Sequence, residues 1–326
     1  ISGLNAKSSS LNINSTINEL FIDTEENVWI ATNNLGLKKI TCLRKALSKV
    51  NCDKEAAAFS IKKVNGHNKL RVGGDGFFSI ISSTEENNKI SLENNFHTVP
   101  TIVWDTCADP TDKSCIWIAT DDGLLFSKNN NPPEKFNDKE NLITSPNRVL
   151  LVRKDEIWLG TIGGLFKIKN GTPEEIQAFD GSRFGYVYTL SLDNDNRMWV
   201  GTLGKGLWVE TDKGMCPLTN ELLTPFGNTY SIVTNNSGET LVIQEERLVV
   251  GDKNLNFRLI VRENPIAGWT AVWINKTTIA TGSNNGILLI DTETSKIIQQ
   301  INLHLGKSAW QFTSTRSLYF DGTDKL

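Results

Sequence analysis

Val28-Trp29-Ile30-Ala31-Thr32-Asn33-Asn34-Leu35-Gly36-Leu37 is the phrase on which the reading of this chain turns. It returns as Ile116-Trp117-Ile118-Ala119-Thr120-Asp121-Asp122-Gly123-Leu124 and as Ile157-Trp158-Leu159-Gly160-Thr161-Ile162-Gly163-Gly164-Leu165. A fourth clear copy is Met198-Trp199-Val200-Gly201-Thr202-Leu203-Gly204-Lys205-Gly206-Leu207. Weaker copies fill the gaps: Leu70 to Phe77 between the first and second, then Leu241-Val242-Ile243 and Ile279 to Ile287 after the fourth. Taking Trp29, Arg71, Trp117, Trp158, Trp199, Leu241 and Thr278 as equivalent, the steps are 42, 46, 41, 41, 42 and 37 residues.

A period near forty is too long for leucine-rich or ankyrin units and suits a propeller blade. The flanking residues agree. Upstream of each phrase runs an alternating, β-branched and aromatic segment, such as Tyr188-Thr189-Leu190-Ser191-Leu192-Asp193. That pattern reads as strand. A polar turn such as Asp193 to Arg197 joins it to the Trp phrase, and Gly after the phrase supplies a tight hairpin into a third strand. Helical spacing is missing from these units, although residues 44–58 read as a short helical insertion. The fold class is therefore all-β: a β-propeller of about seven four-stranded blades, or eight, with 1–326 as one domain. Within the phrase, Trp and Ala or Gly share one strand face. A large ring beside a small residue lets a neighbouring sheet approach, so the Trp series is expected to be inter-blade packing.

Composition excludes several classes. The 34 basic and 37 acidic residues give a net charge of −3, with no basic stripe of the kind nucleic acid requires. No run approaches the ~18 apolar residues of a membrane span. The Ile1-Ser2-Gly3 start, without initiator Met or signal peptide, reads as a piece of a longer chain. Among five cysteines, Cys42 with Cys52 and Cys107 with Cys115 are spaced as two short disulfide-closed loops, and Cys216 is left over. His67, His97 and His304 are too scattered for a zinc site or a His-based triad. Asp193-Asn194-Asp195-Asn196 lacks the Gly and distal Glu of a calcium loop, and Gly73-Gly74-Asp75-Gly76 lacks the Lys and helix of a phosphate loop. No cofactor and no metal are expected.

These phrases resemble the two-component regulator propeller repeat, whose core runs Asp-x-x-Gly-x-Leu-Trp-Ile-Gly-Thr-x-x-Gly-Leu. Arg71 and Thr278 depart from it at the Trp, and Glu245-Glu246 stands where Gly belongs. The resemblance implies an extracytoplasmic (periplasmic or extracellular) sensor domain of a bacterial signalling receptor. It would be linked through a membrane segment outside this chain to a histidine kinase or diguanylate cyclase output. No output motif occurs in these residues.

Propellers present loops around a funnel where the inner strands begin. Residues at those starts are Arg148, Tyr186, Tyr188, Tyr230, Trp269 and Trp310. Aromatic rings and a bidentate Arg there suit a small-molecule or oligosaccharide ligand. A homodimer that changes its pairing on binding is the expected signalling form. Two other classes stay open: a protein-interaction scaffold, and a polysaccharide or streptogramin lyase-like enzyme. This segment is read as non-enzymatic.

Overall fold

The computed structural model describes residues 17–22, 28–33, 36–40, 47–49, 58–64, 69–86, 89–138, 142–143, 146–245, 247–261, 269–283, 286–302 and 318–319. Among the described residues all regular elements are β-strands. In the unit carrying the fourth phrase, Tyr186–Leu192, Met198–Leu203, Leu207–Thr211 and Gly214–Pro217 form a four-stranded antiparallel meander in chain order. Three more sheets repeat this plan, starting at Asn147–Arg153, Thr229–Thr234 and Ala271–Trp273. The strand that comes first in sequence is an edge strand, and successive first strands lie against one another around a common centre. After Ala271–Trp273 the circle continues to Leu318–Tyr319, which pairs in parallel with Ile17–Ile22 and so returns to the start.

The expectation of about seven separate four-stranded blades is corrected. The described residues form six hydrogen-bonded sheets: four with four strands, one with five and one with six. The six-stranded sheet contains two strands of unusual length, Lys69–Glu86 and Lys89–Ala108. The first passes through Gly76, at φ +74°, where its pairing with the second shifts register between Asp75 and Phe77. The second serves the repeat around Arg71 with its first half and the repeat around Trp117 with its second. The sequence period counts units along the chain, and here two units share one sheet.

Each element of the recurring phrase has a physical role. The Trp rings pack into the boundary with the next unit. Trp117 joins Leu150, Ile157 and Leu159; Trp158 joins Val187, Met198 and Val200; Trp199 joins Ile232, Val242 and Val249. The small residue beside the ring admits the next inner strand. A Cβ on Gly160 would lie 2.5 Å from Val187 Cγ1 and 2.6 Å from Val149 Cγ1. The Thr closes the hairpin: the hydroxyls of Thr120, Thr161 and Thr202 donate to the carbonyls of Gly123, Gly164 and Gly206 at 2.7, 3.0 and 2.7 Å. Where Gly is replaced in this hairpin, Glu245 itself adopts φ +51°.

The Asp turns are structural clamps. Asp193 accepts from the backbone N–H of Asp195 and Arg197, from Arg197 Nε, and from the Trp199 indole at 2.9 Å. Burial alone would raise its carboxyl, but the bonds from Trp199 and Arg197 outweigh burial and hold it below the usual carboxylate range. Asp109 treats Thr111, Asp112 and Trp117 in the same way. With their oxygens committed to turn N–H groups, these residues behave as Asx turns. Trp158, whose preceding turn is only Lys154-Asp155, leaves its indole N–H without a partner.

Three further expectations are corrected or fall outside the described residues. Cys107 and Cys115 are free thiols rather than a disulfide. The register sets Cys107 opposite Trp117, and Cys115 lies farther along, its carbonyl taken by the Asp109 N–H. Loop spacing suggested closure, but strand register decides it. Burial pushes the Cys107 thiol up to about 12, which makes it inert. The Cys42–Cys52 pair lies outside the described residues. Within the anticipated helix over 44–58, Leu47–Lys49 is an edge strand and residues 50–57 are outside the described set.

Candidate functional site

Five inner-strand segments lose register close to where they join the Trp strands. The ladders step from Ala58 to Ser60, Val103 to Asp105, Asn147 to Val149, Val187 to Thr189 and Thr229 to Ser231. The skipped residues are Phe59, Trp104, Arg148, Tyr188 and Tyr230. A bulge leaves one residue unpaired and re-aims its side chain, and bulges gather beside functional sites. Here the re-aimed side chains meet. Phe59 lies 4.7 Å from Trp104, centroid to centroid. The Arg148 guanidinium carbon lies 3.6 Å from the Trp104 ring centroid and 4.9 Å from that of Tyr188. Tyr188 meets Tyr230 edge-on at 5.7 Å, and Tyr230 meets Trp269 at 4.2 Å.

Five inner strands and the approach to a sixth thus contribute to one belt of rings, with the Arg148 guanidinium between Trp104 and Tyr188. Tyr188 also lies 6.3 Å from Trp269, which belongs to a unit two steps along the chain. Only a side chain directed at the shared centre can make that contact. Tyr186 flanks the belt at 6.1 Å from Tyr188. The structure therefore brings together Arg148, Tyr186, Tyr188, Tyr230 and Trp269; Trp310 lies outside the described residues.

The belt sits at the end of the ring that carries the hairpins following the Trp phrase. N–H groups of Asp121, Ile162, Glu245 and Gly282 in those hairpins donate to carbonyls just ahead of the inner strands. The Trp104 indole donates to Asp121 Oδ1 in the same hairpin. Most belt rings are half-buried, whereas Arg148 and Tyr188 are buried. Burial, opposed by the nearby Arg148 charge, pushes the Tyr188 hydroxyl up to about 12, so it stays protonated at neutral pH. A separate cavity of about 320 Å³ opens beside this hairpin, lined by Thr98, Pro100, Asp122, Leu125 and Lys135 among others.

Phe59 and Trp104 belong to the belt but were not among the expected site residues. The bulge residues stand ten to thirteen positions ahead of the motif Trp or its equivalent, so that offset could have found them. Chemically the belt offers flat apolar faces, phenol hydroxyls and a guanidinium. Such a surface stacks on sugar rings or other flat ligands and holds an acidic group. His97 stacks on Phe78, its cross-strand partner, away from the belt. No group of three or more candidate metal ligands occurs among the described residues.

Comparison with known proteins places this geometry in context. Residues 181–204, which run through the first two strands of the fourth-phrase unit, match the family described as two component regulator propeller. No curated protein matches the sequence. The extracellular domain of the putative one component system BT4673 from B. thetaiotaomicron superposes with a TM-score of 0.63 at 16% identity. That match covers 88% of this chain and 39% of the other, so the chain spans well under half the length of that structure. A streptogramin B lyase superposes with a TM-score of 0.68 at 10% identity, over 85% of this chain and 94% of its own. Ycf48 bound to a D1 peptide gives 0.62 at 12%, over 89% and 96%. Three different activities on one architecture show that the fold does not choose among them. The recurring Trp phrase and the ring of meander sheets make the chain a β-propeller, and one of its units, over residues 181–204, is similar to the two component regulator propeller family.

Proposed function

We propose that this propeller is a ligand-sensing domain of a bacterial signalling receptor. It binds a small molecule or oligosaccharide at the belt mouth, on the extracytoplasmic side of the membrane. The observation that carries this reading is the convergence of bulge-displaced rings on one end of the ring. A protein spends ordinary inner-strand positions on half-buried aromatic side chains there, where packing alone would favour aliphatic ones. The likeness to an extracellular domain of a putative one component system supports the receptor context. Signal transfer would follow as a population shift, with occupied propellers pairing differently and a segment outside this chain reading the change.

The test is a thermal-shift screen against oligosaccharides and small acidic metabolites, with product release followed in parallel. A ligand at a hundredfold excess over Kd adds about 2.7 kcal/mol to stability. We expect a specific rise in melting temperature with no turnover. Release of unsaturated product from a polysaccharide would place the protein with the lyases instead. A flat screen together with capture of a defined protein partner would make it a scaffold.

A further inference from the structure

We propose that Arg148 is an anion subsite within the belt, taking a carboxylate or sulfate group of the ligand. This deepens the recognition role above and rests on it. Arg148 is only 8% exposed, yet no carboxylate among the described residues pairs with it. Other arginines of the ring are paired: Arg153 with Glu210 at 2.6 Å, Arg197 with Asp193 at 2.7 Å and Arg258 with Glu239 at 3.0 Å. Of the acidic residues at this mouth, Asp121 accepts from the Trp104 indole and Glu245 from the Asn228 N–H. A buried cation without a counter-charge is costly unless something repays its desolvation.

Stacking on Trp104 and Tyr188 repays part of that cost. Rings interact with the faces of a guanidinium, while its five N–H donors lie in its plane and point outward from its edge. Those edge donors match the paired oxygens of a carboxylate or sulfate. A second group strengthens the site. The Tyr188 hydroxyl is buried beside the guanidinium with no hydrogen-bond partner among the described residues other than Arg148, so its own O–H remains available to donate. The inferred ligand therefore carries a flat or ring-shaped body for the aromatic faces and an anionic group for Arg148.

The experiment is isothermal titration at fixed ionic strength of the wild type, Arg148→Gln and Arg148→Lys. The probes are sodium sulfate, a galacturonic acid trimer, a sulfated disaccharide and a neutral galactose trimer. Melting curves check the variants; Arg148→Gln should melt at or above the wild-type temperature, because it removes an unpaired buried charge. We expect the wild type to bind at least one anionic probe at least tenfold more tightly than the neutral trimer. Arg148→Gln should lose that preference and Arg148→Lys should keep only part of it. Preference for the carboxylate or the sulfate ester tells which group the site takes. An Arg148→Gln protein that keeps the preference, or a wild type that binds no anionic probe, overturns the anion subsite. Equal binding of the neutral trimer by all three proteins would do so too, while leaving the aromatic belt standing.

Discussion

Replacing Trp199 by alanine should lower the unfolding free energy by about 3–5 kcal/mol, the range for truncating a buried aromatic side chain. Trp199 is the largest fully buried side chain among the described residues and sits among Ile232, Val242 and Val249 of the following unit. Its loss opens a void between two sheets, where neither can collapse without dragging its own ladder. The indole N–H also leaves behind the buried Asp193 oxygen it served. Trp199→Phe separates the two effects: it keeps most of the volume, loses the indole bond, and should cost about 1–3 kcal/mol. Urea denaturation followed by circular dichroism reads both. A midpoint for Trp199→Ala within error of the wild type would mean that the ring is not inter-sheet packing.

Gly201→Val should be comparably damaging, at about 3 kcal/mol, the upper end for overpacking. A Cβ at Gly201 would come within 2.5 Å of Thr189 Cγ2 and 2.8 Å of Thr229 Cγ2. Those methyls stand on β-branched residues of two inner strands, one in the same sheet and one in the next. Neither can rotate away cheaply, because χ1 of a β-branched residue in a strand is stiff. Relief therefore requires the two inner strands to separate, and that movement would disturb Tyr188 and Tyr230 at the bulges beside them. Reduced melting temperature accompanied by weakened ligand binding is the expected pair of outcomes. Wild-type stability in this variant would show that the sheets are less closely packed than described.

The sequence revealed the repeat, the strand character and the packing role of the Trp phrase because all three are local and periodic. Trp199, Gly201 and Thr202 each meet a need that every unit shares, so they recur at fixed offsets. The Asp193 turn was legible as a hairpin for the same reason. Blade number was less legible. Gly73-Gly74-Asp75-Gly76 gives no sign that its strand runs from Lys69 to Glu86 with only a register shift beside Gly76, or that the paired Lys89–Ala108 serves two units. Periodicity cannot say where one hydrogen-bonded sheet ends. The cysteines illustrate a related limit: an eight-residue spacing measures contour length, while the partner opposite Cys107 is set by register.

That Arg148, Tyr186, Tyr188, Tyr230 and Trp269 lie together was legible because they stand at or just ahead of the starts of inner strands. Trp104 and Phe59 stand at a similar offset but escaped because nothing in either strand taken alone marks the residue that the pairing re-aims. What makes these residues alike is the bulge, and a bulge is a property of two paired strands that neither strand displays alone.

The most direct test of the account is fluorine NMR on protein labelled with 5-fluorotryptophan, titrated with the best ligand from the thermal screen. Single Trp→Phe variants assign the nine indole signals. The account predicts that Trp104 and Trp269, the belt rings, shift with ligand while Trp117, Trp158 and Trp199 between the sheets stay in place. Saturable shifts confined to the inter-sheet tryptophans, with Trp104 and Trp269 unmoved, would contradict it.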